Sequence, residues 1–141
     1  MIARLLVAYS VMALCVTIHA GGLAWAIRRL RRSELPTRFW PSVGLFIVVA
    51  VWIVLLHLGE ILAWAVVFTA GGALPDLTTA FYFSAVTYTT TGYGDIVLPH
   101  AWRFGSGVEA LTGILMCGWS TGFFFAIVNR LYFSQSARTD S

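Results

Sequence analysis

Two sets of residues in this 141-residue chain have types and spacings that could do chemistry. The first is the run Thr89-Thr90-Thr91-Gly92-Tyr93-Gly94-Asp95. A hydrated cation gives up its water only to fixed oxygens that replace it, and a ring of backbone carbonyls can supply them. Successive carbonyls point the same way only where the chain takes conformations that a Cβ resists, and Gly92 and Gly94 permit these. Thr90, at one end of the run, adds a hydroxyl oxygen. The second set is His57, Glu60 and Glu109, ionisable side chains inside otherwise apolar stretches. His57 and Glu60 are three apart and share a helix face. Such groups at membrane depth mark either a functional path or a structural hydrogen-bond network, and both readings stand. Glu109 is expected at a depth similar to that of His57 and Glu60, which makes the three a candidate pH-sensing cluster. His19 is expected to be a buried or interfacial hydrogen-bonding residue rather than a ligand. No nucleophile motif or His/Cys metal spacing accompanies them, so no enzyme and no cofactor is expected.

The elements that must hold these residues are membrane helices. The chain is 59% hydrophobic and 11% charged, against about 25% charged in soluble domains. The net charge of +3, carried with no lysine, is too small and too localised for nucleic-acid binding. Residues 5–27 form one apolar run of spanning length, with a stripe of small residues (Ser10, Ala13, Thr17, Gly21, Ala24) suited to close packing. Arginines at 28, 29, 31, 32 and 38 follow it, so the N-terminus is expected outside and this loop inside. Trp25 and Trp40 flank the loop as interface anchors. A second span covers 40–69. After a turn at 70–75, Asp76 is the expected N-cap of a helix over 77–88, too short to span and therefore re-entrant. A third span covers 104–131, with Arg130 and Arg138 marking its inner end. Residues 134–141 read as a short cytoplasmic tail. Cys15 and Cys117 read as packed thiols rather than a disulfide.

The run Thr90-Thr91-Gly92-Tyr93-Gly94-Asp95, after a short helix and between two spans, resembles the potassium-channel filter signature, with Thr91 in place of the usual valine. The likeness extends over about residues 76–122. It implies an all-α membrane protein: three transmembrane helices plus a re-entrant pore helix and selectivity filter, in the tetrameric potassium-channel pore fold. The order of elements is similar to the small prokaryotic two-helix channels with one extra N-terminal helix. Residues 1–38 would be that helix and a basic loop, and 39–133 the pore domain.

The resemblance further implies a homotetramer in the cell's inner membrane that conducts K+ passively. Carbonyls of Thr90, Thr91, Gly92 and Tyr93 would bind the ion, with Gly94 completing the filter. Asp95, Tyr82, Val86 and Thr89 would support it from behind. Some relatives pair the aspartate after the filter with a pore-helix glutamate. That position is Val86 here, so Tyr82 is expected to donate to Asp95 instead. Gly113, and next Gly118, occupy the position of a gating hinge. The alternatives are a weakly selective cation channel or a proton-linked transporter using His57, Glu60 and Glu109.

Overall fold

The computed structural model describes residues 2–33, 36 and 38–139, with side chains up to Leu131. The chain is helical: α1 (Ile2–Arg31), α2 (Phe39–Ala70), α3 (Leu77–Tyr88), a 3-10 turn (His100–Trp102) and α4 (Arg103–Thr139). Three of these helices are long and apolar enough to cross a membrane. A helix closes its interior backbone hydrogen bonds on itself, as hydrocarbon requires. The backbone of α4 stays helical beyond Leu131 to Thr139, so the segment from Ser134 continues the last helix instead of beginning a separate tail.

α1 and α4 run the same way and α2 runs against them. The start of α1 lies beside the 3-10 turn, where the Arg4 guanidinium sits 5.3 Å from the Trp102 ring centroid. The other ends of α1 and α4 meet in a cleft lined by Arg31 and Arg130. Arg28, Arg29, Arg31 and Arg130 thus gather at one end of the bundle, and Arg4 and Arg103 at the other.

Two apolar cores lie one above the other. One joins Cys15, Trp64, Phe68, Phe83, Tyr88 and Leu98 around α3. The second joins Leu23, Val49, Leu56, Phe123 and Ile127 at the arginine-rich end. On α1 the buried face is Ala8, Val11, Cys15, His19, Leu23 and Ala26. The small-residue stripe is not on this face: Ser10, Ala13, Thr17, Gly21 and Ala24 are all exposed. A helix apolar on every side does not encode its own rotation. Where α1 does approach α2 closely, the glycine is Gly22, whose carbonyl accepts from Trp52 Nε1 at 3.2 Å. Cys15 is buried, whereas Cys117 is exposed rather than packed.

Asp76 starts α3. Its Oδ1 accepts from the Thr79 backbone N–H at 2.8 Å, and its Oδ2 from the Thr79 hydroxyl at 2.8 Å. These bonds hold the carboxyl below its ordinary value of 3.8, the backbone bond most of all. A lowered folded-state value means that the cap is fully present above pH 3.8 and is lost as the pH falls through the lower value. Asp76→Ala should therefore speed amide exchange in the first turn of α3 at neutral pH, and the variant and wild type should converge under strongly acid conditions. Equal exchange at neutral pH would show that the cap contributes nothing.

Candidate functional site

Residues 89–95 leave the end of α3 and run exposed along one side of the chain. Thr90, Gly92 and Gly94 have φ of 60°, 57° and 77°. Thr91 and Tyr93, between them, do not. The hand of the backbone therefore alternates residue by residue, which turns successive carbonyls towards one side instead of to opposite sides as in a strand. Gly92 and Gly94 take this conformation at no steric cost. Thr90, β-branched, does not, and a left-handed residue of that type is a strained one held by its surroundings. Here the Thr90 N–H donates to Thr87 O at 2.9 Å and the Gly92 N–H to Val86 O at 3.2 Å. The Thr89 hydroxyl contacts Ala85 O at 2.7 Å and the Thr91 hydroxyl at 2.9 Å. The extra hydroxyl at position 91 is thus satisfied within the run. Tyr82 donates its hydroxyl to Asp95 Oδ2 at 2.7 Å, and this bond raises the phenol's pKa.

Between the two apolar cores lies a polar layer drawn from all four helices. His19 Nδ1 is 2.8 Å from Glu60 Oε1. The Tyr88 hydroxyl donates to Glu60 Oε2, and its oxygen is 3.1 Å from His57 Nδ1. Ser120 Oγ lies 3.0 Å from His19 Nε2 and 3.2 Å from His57 Nε2. His19 and Glu60 are fully buried. Tyr88, the last residue of α3, immediately precedes the 89–95 run, so the layer reaches the backbone of that run through one residue.

A family model described as "Ion channel" matches residues 45–130, well over half the chain. The chain belongs to this ion-channel family. No curated protein and no solved structure gave a match. In this channel the matched stretch takes in most of α2, all of α3, the 89–95 run and α4 as far as Arg130. α1, which carries His19, lies outside it.

The channel brings only two of the three expected cluster residues together. His57 Nδ1 and Glu60 Oε2 are 3.6 Å apart. Glu109 does not join them. Ser120 is the α4 residue at their level, eleven positions further on, or about 16 Å by helical rise. Glu109 instead interacts with Ser84 of α3, without hydrogen-bond geometry, and among the described residues its two oxygens and Ser84 Oγ have no other partner. Sequence reasoning missed Tyr88 and Ser120; it expected His19 to be a buried or interfacial hydrogen-bonding residue, as it is, but not its pairing with Glu60. His19 and Ser120 are 101 residues apart, and only the rotation of α1 and α4 about their axes pairs them. Gly113 is pressed against the end of α3: a Cβ there would collide with the Tyr88 carbonyl. Gly118 has open space around its Cβ direction.

Proposed function

We propose that four copies of this channel surround one axis and pass potassium in preference to sodium. The carbonyls of residues 90–93 and the Thr90 hydroxyl would form the ion-binding oxygens, α3 would serve as a re-entrant pore helix, and the N-terminus would lie outside with the C-terminus in the cytoplasm. The observation that carries this reading is the alternating hand of residues 90–94, with left-handed backbone at Thr90, Gly92 and Gly94. A single copy presents one strip of such oxygens, and replacing a full hydration shell takes a ring of them. Four-fold assembly is further supported by what a lone chain leaves uncovered. Leu111, Ile114, Leu115 and Trp119 on α4 and Tyr93 in the run are exposed. A cleft of about 430 Å³ opens beside residues 90–95 and Arg103. Arginines clustered at one end of the bundle favour that end as the cytoplasmic side.

The experiment is ion flux in liposomes holding the purified chain, with potassium and sodium gradients compared. Rapid potassium flux with little sodium flux is expected. Equal flux of both ions would leave a weakly selective channel, and the potassium reading would fall.

One prediction follows for the residues behind the run. Tyr82→Phe deletes the donor to Asp95 and frees that carboxylate at the mouth of the proposed filter. Currents should inactivate faster than in wild type during sustained recording, with potassium selectivity unchanged. Identical kinetics would mean that the bond does not hold the filter open.

A further inference from the structure

We propose that His19, His57, Glu60 and Tyr88 form a binding site for one divalent transition-metal ion of the zinc class. Five contacts close a ring through His19, Glu60, Tyr88, His57 and Ser120. Each contact needs one proton. With Glu60 ionised, two neutral imidazoles, one phenol and one hydroxyl supply four. The ring is then one proton short and carries a buried negative charge, which a fifth proton offsets in the metal-free state and a bound cation can offset in its place.

The orientation of the two imidazoles favours a metal. Both turn Nδ1 towards Glu60 or Tyr88 and Nε2 towards Ser120 Oγ. A hydroxyl oxygen has two lone pairs, so Ser120 can accept from both Nε2–H groups. In that arrangement, the one the loaded site would adopt, both Nδ1 lone pairs lie on the carboxylate side. Metal-binding histidines are held in the same way, through an acceptor on the far nitrogen. The two Nδ1 atoms and the Tyr88 oxygen then surround the Glu60 carboxylate, His19 on Oε1 and His57 and Tyr88 on Oε2. Zinc-class ions bind such atoms tetrahedrally at about 2.0–2.1 Å, which sets the ligands roughly 3.3 Å apart. The observed separations are 2.8 Å from His19 Nδ1 to Glu60 Oε1, 3.1 Å from His57 Nδ1 to the Tyr88 oxygen and 3.6 Å from His57 Nδ1 to Glu60 Oε2. Ligand atoms of His19, His57 and Glu60 all lie within 4.8 Å of one another. The His57 side chain keeps 16% of its surface exposed while His19 and Glu60 keep none, so an ion would approach past His57.

The charges balance. The Glu60 carboxylate and a Tyr88 phenolate neutralise a divalent ion, which suits an apolar surrounding. The metal-free ring is also neutral once it holds five protons. The loaded site holds three, on the two Nε2 atoms and Ser120 Oγ, so each ion bound releases two protons to solvent. The other ionisable groups within electrostatic reach of Glu60 are the thiols of Cys15 on α1 and Cys117 on α4. The site would fasten α1, which lies outside the family-matched stretch, to the residue that precedes the 89–95 run. It does not depend on which ion the channel conducts.

The test is titration of the purified, chelator-stripped channel with Co2+ and then Zn2+. One Co2+ per chain is expected, with the visible bands of tetrahedral coordination, bleached when Zn2+ displaces it. Two protons should appear per ion, so apparent affinity should rise about 100-fold per pH unit. His19→Ala and Glu60→Gln should each weaken binding at least about tenfold, while Cys15→Ser and Cys117→Ser should bind as wild type does. Absence of tetrahedral bands in wild type overturns the proposal, as does undiminished binding by His19→Ala or loss of binding in a cysteine variant. Should the His19 variant fail to assemble, wild-type stoichiometry and proton release decide: fewer than two protons per ion rejects the site as drawn.

Discussion

Gly92→Ala is expected to abolish potassium-over-sodium preference. Gly92 sits at φ 57° with nothing within 4 Å of where a Cβ would stand. The penalty is therefore conformational rather than a collision inside the chain. A left-handed L-residue costs about 1–2 kcal/mol, and the proposed four-fold assembly pays it four times around one axis. The run has no slack to absorb this, because Thr90 is already a left-handed, β-branched residue, a strain of about 1–3 kcal/mol by itself. The cheapest relief is to rotate the peptide next to residue 92, which swings a carbonyl out of the row and breaks the ring of oxygens. Bi-ionic reversal potentials in liposome patches measure the outcome. A potassium preference equal to wild type would show that the carbonyls of this run do not set selectivity.

Gly113→Ala should have the largest effect on assembly. The resemblance to potassium channels casts Gly113 as a hinge, but the structure supplies a packing demand as well. The added methyl meets the Tyr88 carbonyl, which is backbone and cannot swing aside as a side chain would. Overpacking a tight contact costs about 1–3 kcal/mol, and here relief requires α4 to move away from the end of α3. That shift would disturb Tyr88 and the polar layer together. Gly118→Ala is the control: with open space at its Cβ it should lie within about 0.5 kcal/mol of wild type. Thermal unfolding in detergent, followed by the loss of assembled protein, compares the two. Equal melting of both variants would remove the packing role of Gly113.

What the sequence made legible follows from which physics is local. Spanning helices announce themselves because lipid imposes a run length, and three were found. Asp76 was legible as a cap because capping needs only a carboxylate three residues before an amide. The Gly-Tyr-Gly run carried its own backbone requirement. By contrast, nothing local says which face of α1 turns inward, and the small-residue stripe, suited to close packing, lies on the exposed side of the single chain. The same blindness hid the partnership of His19 with Glu60 and placed Glu109 with them on an expectation of equal depth. Depth along α4 depends on where its first turn starts, and Arg103 at that start sets Ser120, not Glu109, opposite Glu60. The end of α4 was misread because polar residues after Leu131 look like a tail, while helical hydrogen bonds continue irrespective of polarity.

The polar layer also imposes an order on synthesis. A ribosome delivers His19 first, then His57 and Glu60, then Tyr88, and Ser120 last. Until α3 arrives, His19 is the one partner outside α2 available to Glu60. Both imidazoles lack their shared acceptor until the fourth helix is in place. The ring therefore closes only on a chain that has been made through α4, and an arrested or truncated product keeps unmatched polar groups in the bilayer, where quality-control proteases can recognise it as unfinished.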